Sequence, residues 1–83
     1  MGHVLFCSDQ LDGVAAAAIM GRMLRLRGRE WRLGGTLSHA SESGVALLAQ
    51  TKNAILHLLD VSPDYLVPFE QTVSSLAANN KIA

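Results

Sequence analysis

The chain has 83 residues and a mass of 8.9 kDa, room for one small domain. Its 49% hydrophobic and 17% charged residues exclude a disordered tail, and seven cations against seven anions exclude an overall polycation. One cysteine, Cys7, excludes an intrachain disulfide framework and a multi-cysteine zinc site, and no apolar run reaches the roughly 18 residues of a membrane span. Met1-Gly2-His3 has neither a basic lead nor a cleavage site, so a reducing cytoplasm is the expected location. With one Trp, one Tyr and two Phe, the core is expected from Leu, Ala, Val and Ile.

His3 to Cys7 is an almost continuous apolar run that stops at Ser8-Asp9-Gln10, the pattern of a buried strand. Asp12-Gly13 then opens a helix from Val14 to Leu26, rich in Ala, Met, Leu and Arg. Ala15, Ala18, Ile19, Met23 and Leu26 recur at spacings of three and four and predict its apolar face, and Gly28 suits the stop. Glu30 to Leu37 reads as a second strand with a loose end at Gly34-Gly35, and Ser38 to Ser43 as polar loop. Gly44 to Gln50 reads as a short helix, and Asn53 to Leu59 as a third strand ending at Asp60. Ser62-Pro63-Asp64 has the chemistry of a helix start, with Pro68 a threat to the first turns of a helix reaching about Ala78. Lys81-Ile82-Ala83 looks like the opening of a fourth strand.

This β-α-β-α-β-α order predicts a single α/β domain over residues 1–83, a parallel sheet with right-handed crossovers and helices on both faces. Three strands would leave unpaired edges, so an incomplete chain, an oligomer or a partner covering an edge is expected. In such sheets ligands bind beyond the carboxyl ends of the strands. Asp9 and Asp12 follow the first strand and Asp60 ends the third, so three carboxylates are candidates for one crevice. Clustered carboxylates repel unless a cation neutralises them, and oxygen ligands suit Mg²⁺ or Mn²⁺. The competing assignment makes Asp12 a helix N-cap and Asp60 a turn residue.

Val4-Leu5-Phe6-Cys7-Ser8-Asp9-Gln10-Leu11-Asp12-Gly13, with the small-residue helix after it, resembles the first motif of the DHH phosphoesterase superfamily. That motif is an apolar strand followed by H-x-D-x-D-G or D-x-D-x-D-G. Leu56-His57-Leu58-Leu59-Asp60, with a helix start soon after, resembles the second motif. The resemblance covers nearly the whole chain as the family's N-terminal segment; the Asp-His-His motif and the C-terminal substrate domain have no counterpart in it. It implies hydrolysis of phosphodiester or phosphoanhydride bonds with Mn²⁺ or Mg²⁺, and leans to the RecJ-like nucleases. Asp12 and Asp60 carry over as catalytic metal ligands, with Asp9 as a substitute ligand.

Ser8 and Gln10 occupy the two upstream ligand positions, where the family has His or Asp and then Asp. They are left as contacts to water or substrate, and His39 in the polar loop is a third. Two matched carboxylates do not hold a two-metal centre by themselves. Two functions follow. One is a truncated or degenerate metal-dependent phosphodiesterase, acting on a phosphodiester such as single-stranded nucleic acid or a nucleotide. The other is a non-catalytic module, a replication-associated scaffold or an oligomeric structural domain.

Five of the seven basic residues, Arg22, Arg25, Arg27, Arg29 and Arg32, crowd into eleven positions around Trp31. Phosphate binding with base stacking competes there with a solvated helix end. His3 and His57 read as structural, and Cys7 as a buried, inert thiol.

Overall fold

The computed structural model describes residues 2–38, 42–61 and 69–83. Among these, the element order is β1 (Gly2–Ser8), α1 (Leu11–Leu26), β2 (Trp31–Leu37), α2 (Glu42–Ala49), β3 (Ala54–Leu59), α3 (Phe69–Asn79) and β4 (Lys81–Ile82). The strands form one parallel sheet in the order β2-β1-β3-β4. The apolar run of β1 makes it a central strand. Val4, Leu5, Phe6 and Cys7 are all buried, because helices cover both faces.

Side chains alternate between those faces. Leu5 and Cys7 meet Ala17, Leu24 and Met20 of α1. Val4 and Phe6 meet Leu37, Leu48, Leu56 and Leu76 on the face of α2 and α3. Phe6 is the largest fully buried side chain, so the core is not aliphatic alone. Ile19 and Ile82 are exposed instead.

Helix α1 begins at Leu11, three residues before the expected Val14. Gln10 stands at the N-cap without a side-chain hydrogen bond, and Asp12 lies in the first turn. Asp12 is therefore not the cap; its charge still suits the positive helix end. The buried stripe is Gly13, Ala17, Gly21 and Leu24. The expected stripe faces solvent, with Ile19 63% and Leu26 75% exposed. Hydrophobicity selected the larger apolar side chains, whereas close approach to the sheet selects the smallest ones. A Cβ on Gly13 would collide with Ser8 Oγ and lie 2.8 Å from the Ser8 backbone nitrogen and oxygen. The helix stops as expected: Gly28 takes φ 69°, a conformation open to glycine. Its N–H donates to the Arg25 carbonyl and that of Arg29 to the Leu24 carbonyl, a Schellman pair.

Strand β2 keeps its two glycines inside the ladder. Leu5 pairs with Leu33 but Phe6 with Gly35, so Gly34 is an extra residue, and the Phe6 ring fills the space beside it. Far from loose, the strand continues to fully buried Leu37. Helix α2 starts at Glu42, inside the expected loop. Strand β3 is flanked by two residues at φ 56°, Asn53 and Asp60, types that tolerate this region. The expected helix start at Ser62-Pro63-Asp64 and the Pro68 break lie outside the described residues.

The suspected fourth strand is real. Lys81 pairs with Ile55 and Ile82 with Leu56. Asn80, just before it, is buried and fully used. Its amide donates to the Thr51 and Leu76 carbonyls, at 2.8 and 3.1 Å, and its oxygen accepts the Ala54 N–H at 3.0 Å. Among the described residues, no helix is long and apolar enough to cross a membrane.

Candidate functional site

The strand order reverses between β1 and β3: the chain leaves β1 through α1 on one face and reaches α3 on the other after β3. Connections that diverge in this way open a crevice at the carboxyl ends of those two strands. The register that pairs Cys7 with Leu59 brings the next residues, Ser8 and Asp60, side by side. The Ser8 hydroxyl donates to Asp60 Oδ2 at 2.8 Å. Ser8 is fully buried beneath the first turn of α1, and Asp60 is exposed at the crevice mouth.

Asp9 and Asp12 are exposed at the same rim. The Asp9 N–H donates to the Leu37 carbonyl at 3.2 Å, tying this loop to the end of β2. The Gln10 amide donates to Asp9 Oδ1 at 3.4 Å, a long and exposed contact. Ser8, Asp9, Gln10, Asp12 and Asp60 therefore share one rim, and the sheet joins Ser8 to Asp60 directly. His39 lies outside the described residues.

The metal implied by the resemblance can be tested against this donor set. Asp60 Oδ2 accepts a hydrogen bond from the Ser8 hydroxyl. Among the described residues, no group of three or more His, Cys, Asp and Glu side chains could hold a metal ion. A divalent centre needs several oxygen ligands at about 2.0–2.6 Å, so Asp12, Asp60 and Asp9 would have to be joined by further ligands to hold one. Burial pushes the Cys7 thiol up, which keeps it protonated and inert.

Two features had no local signal in the sequence. One is the three-way bonding of Asn80. The other is a histidine pair 54 residues apart, with His3 Nδ1 and His57 Nε2 2.8 Å apart in a hydrogen bond. Their rings stack with centroids 5.1 Å apart. Burial, and secondarily the nearby His3, lower the basicity of His57. Expected separately from the sequence, the two residues form one unit.

The chain matches no family model, no curated protein and no solved structure.

Proposed function

We propose that the chain is a DHH-type, RecJ-like α/β module in a non-catalytic, interaction-bearing form. One observation carries this reading: the 2.8 Å hydrogen bond from buried Ser8 to Asp60 at the point where the strand order reverses. In the family pattern that serine position is a metal ligand. Here an uncharged hydroxyl stands in that ligand's place and donates to Asp60 at 2.8 Å. Asp12 and Asp60 keep the family positions, while Ser8 and Gln10 have lost the ligand chemistry.

The surface supports a protein-binding role of the scaffold kind. Leu11, Ile19, Met23 and Leu26 are exposed along the outer side of α1, and β2 and β4 are edge strands. A protein partner or a second copy of this chain covering such surface is part of the proposal.

The second reading is the metal-dependent phosphodiesterase itself, with Mn²⁺ or Mg²⁺ held by Asp12 and Asp60 and by further ligands outside the described residues. The retained order of both motifs favours it. Calorimetric titration with Mn²⁺ separates the two. The non-catalytic reading expects no saturable heat from the wild-type chain. Saturable heat that disappears in Asp12→Ala/Asp60→Ala would establish the metal site and overturn it. Sizing chromatography tests self-association: an oligomer at micromolar concentration identifies the second copy as the cover.

A further inference from the structure

The opposite rim of the sheet gathers the chain's positive charge. Parallel strands all begin at one rim, and each connecting helix returns the chain there. Arg25 stands in the last turn of α1, Arg27 caps it, Arg29 leads into β2 and Arg32 is the second residue of that strand. Lys52 precedes β3 and Lys81 opens β4. Arg22 lies one turn back on α1. All seven are exposed, so the full complement of seven Lys and Arg flanks this rim and the adjoining end of α1. Among the described residues, Glu30 is the one carboxylate beside them, whereas Asp9, Asp12 and Asp60 stand at the far rim. A net charge of zero therefore hides a strong separation of charge.

Among the described residues, these cations have no partner in the fold. No ion pair joins any of them to a described carboxylate. The solvated-helix-end explanation has arginines serving the last carbonyls of α1. Backbone N–H groups of Gly28 and Arg29 already take the Arg25 and Leu24 carbonyls, so the guanidinium groups are left for another acceptor. Trp31 lies among them, 39% exposed, with its ring seated against Gly21. From β2 to β4 the rim spans three strand spacings, about 14 Å.

We propose that this rim binds the phosphodiester backbone of single-stranded nucleic acid, with arginines on the phosphates and Trp31 stacking on an unpaired base. Guanidinium groups match phosphate oxygens in a bidentate fashion. An exposed indole adds stacking that only an unpaired base can reach. This surface is at the opposite rim from the Ser8–Asp60 crevice and does not depend on what the crevice does.

The test titrates the full chain with a labelled oligothymidylate in EDTA, following anisotropy and the fluorescence of Trp31, the chain's single tryptophan. Binding is expected at low salt, with Trp31 quenched. The slope of log affinity against log salt should be roughly −3, from about 0.7 per phosphate contact on a single strand. Arg25→Glu/Arg29→Glu, at exposed positions that leave the circular dichroism unchanged, should weaken binding at least tenfold. Inorganic polyphosphate is the second probe. If it binds as tightly and the oligothymidylate leaves Trp31 unquenched, the surface is a general polyanion site and the nucleic-acid proposal fails. Absence of binding at low salt, or binding untouched by the double charge reversal, also overturns it. Because EDTA removes divalent ions, none of these outcomes turns on the metal question.

Discussion

The two rims of the sheet are built from the same topology and do different things with it. At the carboxyl rim, α1 presses a glycine onto the backbone of Ser8, whose buried hydroxyl holds the Asp60 carboxylate. At the amino rim, α1 ends in a backbone-satisfied cap, and the cations are exposed with no partner among the described residues. Topology decides where charges gather; what lies buried beneath them decides how rigidly each rim is held.

The largest expected effect contrasts two glycines. Gly13→Ala sets a methyl group against Ser8 backbone atoms at 2.8 Å, which can yield only if α1 lifts off β1. A cost of about 3 kcal/mol is expected, at the upper end for overpacking, measured by urea denaturation. Gly21→Ala has its nearest contacts on the Trp31 ring, which can swing outward, and the added methyl favours the helix. Its net effect should stay within about 1 kcal/mol, with a shift in Trp31 emission. Equal costs at both sites would erase the contrast in rigidity.

Asn80→Ala should cost about 2 kcal/mol, because it leaves the buried Ala54 N–H and two carbonyls without their partner. Loss of hydrogen-exchange protection at the start of β3 would locate the damage at the amino rim. Ser8→Ala should cost only about 1 kcal/mol, since the carboxylate it releases is exposed and water replaces the hydroxyl. A much larger loss would mean that the crevice is a stability element.

The smallest effect is a pH dependence at the His3–His57 pair. His57 is less basic when folded than the ordinary imidazole value of 6.5, so the unfolded chain holds that proton more tightly. Its contribution is complete above pH 6.5 and is lost as pH falls through 6.5 towards the lower folded value. It then stays level once both states are protonated. Denaturation midpoints for wild type and His57→Gln across this range should converge as pH falls; parallel curves would refute the assignment.

Much of the fold was legible in the sequence because it rests on local chemistry. The apolar run of β1, the Gly28 stop, the end of β3 at Asp60 and the opening of β4 are each written in adjacent residues. The buried face of α1 was not, because packing rewards small size there and the larger residues of the opposite face mimic a core stripe. Ser8 and Asp60 were both visible as candidates for one rim. Their hydrogen bond depends on the β1–β3 register, which no short stretch of sequence encodes. The His3–His57 pair and the bonding of Asn80 were illegible for the same reason.

The division of labour between the rims is tested most directly by a backbone amide NMR titration of the folded chain with oligothymidylate. Shift changes should cluster at Arg25 to Arg32, Lys52 and Lys81, leaving Ser8 to Asp12 and Asp60 still. Changes centred on Ser8, Asp12 and Asp60, with the arginine segment unmoved, would contradict it.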